Sequence, residues 1–177
     1  KFGEFSTVKI KVAETGQTLV DDIARVLKVT SSYPNVRIRL DANGNFSPEQ
    51  ALELLAQIPL ERLDYFEQPC ASIDELVELR TTIKHLDLKV LIAADESIRK
   101  ASDPMEVAQR QAADVVMLKV QPLGGIAHSL DIARQTGLRA VVSSALETSI
   151  GLSQGAYLAA ALPDLEFDCG LGTLSLM

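Results

Sequence analysis

Four charged residues each close an apolar run, at nearly even intervals along this 177-residue chain: Asp41, Glu67, Asp95 and Lys119. The runs before them are Val36-Arg37-Ile38-Arg39-Leu40, Leu63-Asp64-Tyr65-Phe66, Val90-Leu91-Ile92-Ala93-Ala94 and Val115-Val116-Met117-Leu118. Each reads as a buried parallel strand. A lone carboxylate beside so much apolar residue is costly unless it is paired or bound to a cation. Three of them at successive strand ends would converge on one metal. All-oxygen ligation by Asp41, Glu67 and Asp95 favours a hard divalent ion, Mg²⁺ or alternatively Mn²⁺. A small-molecule carboxylate substrate would complete the coordination, and an enolate developing on it would be stabilised by the ion.

Lysine supplies the proton chemistry in this reading. In Lys9-Ile10-Lys11 the two lysines share one face of a strand, because strand side chains alternate. If that face lines a barrel, Lys11 lies nearer the open mouth, and Lys119, four units later, faces it from the other side. A lysine beside other cations is a usable base at neutral pH. Arg39 and Asn43 flank Asp41 on its own face and are expected to support it. Ser143-Ser144 end a later strand and are candidates to touch substrate. Plainer roles exist for each. An Asp at a strand end more often caps a helix, and Lys9 and Lys11 also suit the solvated face of an edge strand. Gly124-Gly125 suits a tight turn, and Cys70 a small buried thiol. Taken together, the four charged strand ends and the Lys9-Ile10-Lys11 pair fit a site better than five accidents.

The elements that must hold these residues alternate strictly. A strand over 7–12 precedes a helix over 17–28 with Leu19, Ile23, Val26 and Leu27 on one face. Ser47-Pro48-Glu49-Gln50 and Ser72-Ile73-Asp74-Glu75 are capping-box starts, the second followed by Leu76, Leu79 and Ile83. Asp103-Pro104 opens another helix, and Gly124-Gly125 one that ends near Gly137. The last helix covers 149–161, before Pro163. Further strands fall at 139–143 and 166–169. Seven strands in strict alternation with helices argue for an α/β fold with parallel pairing and right-handed crossovers. An open doubly wound sheet would gather functional residues at one switch point. Here they end four successive strands, which favours a TIM-like barrel, where roughly 250 residues make eight units. Residues 1–177 are therefore expected to form one barrel domain, with its first strand lying on the N-terminal side of Lys1.

Composition narrows the function. Hydrophobic residues are 47% and charged residues 23%, an ordinary globular balance. A net charge of −7 disfavours nucleic acid or an anionic membrane as partner. No apolar run reaches the roughly 18 residues of a membrane span. Two cysteines, Cys70 and Cys169, point to a reducing cytoplasm rather than a disulfide framework. With only His85 and His128, a multi-histidine zinc or iron site is disfavoured. Nothing in the chain indicates its oligomeric state.

The set Lys9-Ile10-Lys11, Asp41-Ala42-Asn43, Glu67-Gln68-Pro69, Ala94-Asp95-Glu96-Ser97 and Leu118-Lys119 resembles the enolase superfamily, in its muconate-lactonizing-enzyme subgroup. Within it the chain resembles the o-succinylbenzoate synthase family of the actinobacterial type. The stretches Gln121-Pro122-Leu123-Gly124-Gly125, Val142-Ser143-Ser144-Ala145-Leu146-Glu147-Thr148 and Cys169-Gly170-Leu171-Gly172-Thr173 carry that finer likeness. The resemblance implies a (β/α)7β barrel with an N-terminal α+β capping domain that, with the first barrel strand, is absent here. It implies a lyase of menaquinone biosynthesis that converts 2-succinyl-6-hydroxy-2,4-cyclohexadiene-1-carboxylate to 2-succinylbenzoate. Lys11 matches the lysine that removes the α-proton, Lys119 the opposite lysine, and Asp41, Glu67 and Asp95 the magnesium ligands. Lys9, Arg39, Asn43, Ser143, Ser144 and Gly170 are then supporting or substrate-binding residues. Racemases and epimerases of N-acylamino acids or dipeptides share the motifs and remain the nearest alternative. A Schiff-base aldolase using Lys119, and a non-catalytic barrel remnant, are more distant ones.

Overall fold

The alternating apolar runs form a single parallel sheet. In a computed structural model, which describes residues 5–173, six strands lie side by side in chain order. They are β1 (Thr7–Lys11), β2 (Arg37–Asp41), β3 (Leu63–Glu67), β4 (Ile92–Ala94), β5 (Val115–Leu118) and β6 (Arg139–Val142). Helices α1 (Leu19–Ser32), α2 (Pro48–Leu55), α3 (Ile73–His85), α4 (Glu96–Arg99), α5 (Glu106–Gln109), α6 (Ile126–Thr136) and α7 (Ser149–Ala161) fill the connections. The result is a curled α/β half-barrel.

The capping signals act where they were expected. Ser47 and Ser72 each accept from the backbone three residues on, and Gln50 and Glu75 reciprocate. Thr18 does the same with Asp21 and sets the start of α1. Two helices depart from expectation. Asp103 accepts from the Met105 N–H at 2.9 Å in a turn, so α5 begins only at Glu106. The short α4 directly follows Asp95 and was not expected.

The outer face of the sheet carries most of the apolar core. Ile10, Ile38, Leu40, Phe66, Ile92, Val116, Leu118 and Val142 pack there with Val26, Leu54, Leu76, Leu79, Ile132 and Leu158 from the helices. The inner face holds a smaller cluster of Tyr65, Ala93, Val115, Met117 and Val141. The register between β2 and β3 shifts, Ile38 pairing with Leu63 but Leu40 with Phe66. This extra residue in β3 is a bulge, and it lets both Asp64 and Tyr65 meet Arg39.

The expected seventh strand at 166–169 is not a strand among the described residues. One parallel bridge, Ser143 with Gly170, continues the sheet beyond β6. The segment before it directs its polar groups to the opposite edge instead. Asp168 accepts from Ser6 Oγ at 2.8 Å and Thr7 Oγ1 at 2.7 Å, and its carbonyl accepts from Arg39 at 2.8 Å. Phe167 packs edge-on against Tyr65 with centroids 5.5 Å apart. The curl of the sheet thus brings the segment after α7 against β1.

Candidate active site

Parallel pairing puts Lys11, Asp41 and Glu67 in register at the carboxyl ends of β1, β2 and β3. Asp95 follows β4 directly and Lys119 follows β5. All three carboxylates are at most 1% exposed. Neighbouring strands lie about 4.8 Å apart, so one row of charge forms across the mouth. Lys9 Nζ sits between the first two carboxylates, 2.7 Å from Asp41 Oδ2 and 3.2 Å from each Glu67 oxygen. Lys119 Nζ joins the other end, 2.7 Å from Asp95 Oδ2 and 3.9 Å from Glu67 Oε1. Lys11 Nζ donates to Asp41 Oδ2 at 2.7 Å. The expected pair, Lys11 and Lys119, therefore binds the two outer carboxylates and flanks Glu67 from opposite sides.

Two backbone turns with positive φ aim the ligand-type side chains. Asn43 has φ 48° and Gln68 φ 35°, conformations that non-glycine residues adopt at a cost of about 1–3 kcal/mol. Asn43 N–H then donates to Asp41 Oδ1 at 3.1 Å. The buried Gln68 amide pins the next loop: its Oε1 accepts from the N–H groups of Asp95 and Ser97 at 3.0 and 3.2 Å. Its Nε2 donates to Ser97 Oγ at 2.8 Å and to the Cys70 carbonyl at 2.9 Å. Gly44 completes the turn with φ +80° and no room for more, since a Cβ there would stand 3.1 Å from Ala71 Cα.

Electrostatics follow from burial. Burial pushes the Glu67 carboxyl up to about 7; the Lys9 ammonium opposes this and the Asp41 carboxylate adds to it. Asp41 goes the other way. Its burial is outweighed by Lys9, with which it has a direct bond, and by Lys11, so its carboxyl lies below the usual range. Lys9 is likewise raised, its burial being outweighed by Glu67 and Asp41.

The supporting residues divide. Asn43 joins the row through Asp41 and accepts from Lys11 Nζ at 2.5 Å. Arg39 lies one layer below, bound to Asp64 at 3.1 Å and stacked 4.9 Å from the Tyr65 ring centre. Ser143, Ser144 and Gly170 form a separate group: the Ser144 N–H donates to the Gly170 carbonyl at 3.2 Å, and Ser144 Oγ pairs with Thr173 Oγ1 at 2.6 Å. Gly170 lets the chains approach closely there, since a Cβ would meet Ser143 Oγ at 2.8 Å and force that hydroxyl to move. Sequence reasoning missed Gln68 and Arg99. Arg99 stands four residues after Asp95, the spacing of a helical ion pair, and donates to Asp95 Oδ1 at 3.1 Å.

Among the described residues no group of three or more His, Cys, Asp or Glu side chains stands as a ready cation cage. Lysine ammoniums lie between the carboxylates instead. The donor chemistry nevertheless fits a hard divalent cation: all donors are carboxylate oxygens, all are buried, and burial pushes the Glu67 carboxyl up, which a cation bound there would oppose.

Residues 2–174 match the family described as Enolase C-terminal domain-like, and the chain belongs to it. Among curated proteins it is similar to o-succinylbenzoate synthase of Thermobifida fusca, 50% identical over 97% of this chain and 53% of the relative. To the o-succinylbenzoate synthase of Mycolicibacterium smegmatis it is 51% identical over 98% of this chain and 52% of the relative. The chain thus spans about half the length of the curated relatives it matches. A solved dipeptide epimerase from Enterococcus faecalis, complexed with Mg and the dipeptide L-Leu-L-Tyr, superposes with a TM-score of 0.81 at 29% identity. That match covers 94% of this chain and 47% of the epimerase. No helix among the described residues is long and apolar enough to cross a membrane.

Proposed function

We propose that this chain is the barrel domain of a divalent-cation-dependent lyase that converts 2-succinyl-6-hydroxy-2,4-cyclohexadiene-1-carboxylate to 2-succinylbenzoate in menaquinone biosynthesis. The observation that carries this reading is the row of buried carboxylates flanked by Lys11 and Lys119, in a chain half identical to o-succinylbenzoate synthases. Asp41, Glu67 and Asp95 would hold Mg²⁺, or Mn²⁺ in its place. The cation, when bound, neutralises negative charge developing on the substrate carboxylate.

The lysines act on either side. Lys11 removes the proton α to the carboxylate, and the C–H pair passes into an enolate. Lys119 places its ammonium opposite and stabilises that anion. The enolate electrons return as the C–O bond breaks, and Lys11 gives its proton to the departing hydroxide, so water leaves and the ring becomes aromatic. Lys9, bound to both Asp41 and Glu67, keeps Asp41 ionised and partly offsets the burial that raises Glu67, until the cation replaces it. Residues 1–177 are the barrel domain in this reading, and a capping segment outside them excludes water. The free thiols Cys70 and Cys169 suit a reducing cytoplasm.

A racemase or epimerase needs the same two lysines without a leaving group, and the 29% identity to a dipeptide epimerase keeps that as the second reading. Ultraviolet absorbance separates them, because only aromatisation creates a new chromophore. The full natural protein containing this chain is expected to produce the aromatic chromophore with Mg²⁺ and to stop when the metal is chelated. Proton exchange at the α-carbon of N-acylamino acids, with no aromatic product from the cyclohexadiene, would overturn the dehydratase in favour of the second reading.

A further inference from the structure

Beyond the row of carboxylates, a chain of hydrogen bonds runs from the Lys11 amine through the exposed Asn43 to Glu96 and Arg99. Lys11 Nζ donates to Asn43 Oδ1 at 2.5 Å. The other end of that amide, Asn43 Nδ2, donates to Glu96 Oε1 at 3.3 Å. Arg99 NH2 donates to the same Glu96 oxygen at 2.5 Å, and Arg99 Nε donates to Asp95 Oδ1 at 3.1 Å. One guanidinium therefore clamps two adjacent carboxylates. One is a candidate cation ligand and the other ends the lysine's hydrogen-bond chain.

The arrangement has direction. An amide cannot hold a lysine by itself, since its plane swings about the side-chain torsions unless both ends are bound. Asn43 is fixed at both ends only while Glu96 accepts from it. Glu96 is largely buried, and its Oε2 finds no partner among the described residues, so Oε1 carries all of its recorded bonds. A carboxylate so placed keeps its charge and position through its ion pair, and here that pair is with Arg99. The planar fork of arginine reaches both Asp95 and Glu96 at once, which a lysine's point charge does not do with the same geometry. Asp95 gains from the same clamp: with Oδ1 held by Arg99, Oδ2 is left facing Lys119.

We propose that Glu96 and Arg99 are positioning residues, through which the amine of Lys11 and the carboxylate of Asp95 are set relative to one another. Glu96 acts through Asn43 on Lys11, and Arg99 acts on Glu96 and Asp95 together. The inference rests on the lyase reading for the role of Lys11, and on the divalent-cation reading for Asp95.

The test uses the full natural protein, with Glu96→Ala, Asn43→Ala, their double variant, Arg99→Ala and Arg99→Lys. Glu96→Ala and Asn43→Ala are each expected to lower kcat about tenfold or more while KM stays within about twofold. The double variant should be no slower than the worse single one, because both break one chain. Arg99→Ala should lower kcat and also weaken Mg²⁺ binding about tenfold or more by calorimetry, the size seen when groups behind a metal ligand are removed. Arg99→Lys should recover part of the Mg²⁺ affinity and less of the kcat. Melting temperatures separate a loss of positioning from a loss of folded protein. Glu96→Gln, the same size as the native residue, keeps an acceptor for Asn43 and should remain faster than Glu96→Ala. Wild-type kcat in Glu96→Ala, or multiplied losses in the double variant, would overturn the proposal. An unmodified protein that binds Mg²⁺ but does not dehydrate the cyclohexadiene would instead sink the lyase reading. Loss of Mg²⁺ affinity in Arg99→Ala then still judges the clamp, and unchanged affinity refutes it.

Discussion

Two charged clusters share the inner face of the sheet, and they are built from different side chains. At the mouth, Lys9, Lys11 and Lys119 lie among Asp41, Glu67 and Asp95. One layer below, Arg39 and Arg37 hold Asp64, and Arg39 also reaches the Asp168 carbonyl and the Tyr65 ring. The lower cluster uses planar forks whose partners are fixed in the backbone and in buried side chains. It ties β2, β3 and the segment after α7 together. The upper cluster uses point charges that are shared between carboxylates, and its lysines Lys9 and Lys11 remain 34% and 44% exposed. Shared, partly exposed ammoniums can be displaced by a cation or can give up a proton. Arginine guanidiniums, which stay protonated and here hold fixed partners, do neither. In the proposed reading the contrast separates groups that do chemistry from groups that hold the barrel.

The contrast is broken most severely at Lys11. Lys11→Arg keeps the charge and removes the usable base, so kcat should fall roughly 10²–10⁴-fold, the usual contribution of a positioned acid or base. Melting temperature should barely move; turnover near the wild-type rate would remove Lys11 from the chemistry.

The opposite pattern is expected below. Asp64→Ala strands the buried Arg39 guanidinium, and loss of one partner of a buried pair typically costs about 3–5 kcal/mol. Arg39 keeps the Asp168 carbonyl and Tyr65, which places the loss near the lower end. Denaturant unfolding should report it, while kcat per folded molecule stays close to wild type. A stable Asp64→Ala protein with lost activity would reverse the roles of the two clusters.

A smaller effect concerns Glu67. Burial pushes its folded carboxyl up to about 7, above the ordinary 4.5 of a glutamate. Between these values the unfolded chain has released the proton that the folded, cation-free chain retains. That protein should therefore lose stability as pH rises through the window, and Glu67→Gln should flatten the loss. Mg²⁺ needs the ionised carboxylate, so its affinity should rise over the same range. Denaturation at pH 5 and pH 8 with and without metal, together with calorimetry, checks both signs. A pH-independent difference between wild type and Glu67→Gln would show that Glu67 is already ionised.

The smallest effect distinguishes the two thiols. Cys70 is fully buried beside the Gln68 turn, and burial, aided by Glu75, pushes its thiol up to about 12. Cys169 is half-buried in the segment that closes on β1. Thiol reagents should label Cys169 in the folded protein and Cys70 only on unfolding. Asp168→Ala, which releases Ser6 and Thr7, should speed labelling of Cys169 and leave Cys70 unchanged. Equal rates for both thiols would mean that the closing segment opens no more readily than the core.

Much of the molecule was legible from local rules. Six of the seven expected strands form, four of them on the apolar runs that burial in a parallel sheet favours. Ser47 and Ser72 announced their helices because capping bonds span only three residues. The candidate row was visible as charge at the end of apolar runs, where its cost demands a partner. What stayed hidden depends on contacts remote in sequence. The segment 166–169 reads as a strand, yet its polar groups are taken up by Arg39, Ser6 and Thr7, more than a hundred residues away. Arg39 shares a strand face with Asp41, but a bulge in β3 turned it toward Asp64 instead. Lys9 was expected only in support, and lies between Asp41 and Glu67 because three strands stand in register. The chain by itself determined which residues carry charge at the strand ends. Only the curl and register of the sheet decided which of those charges meet, since electrostatic pairing acts over a few ångströms and sequence spacing does not measure that distance.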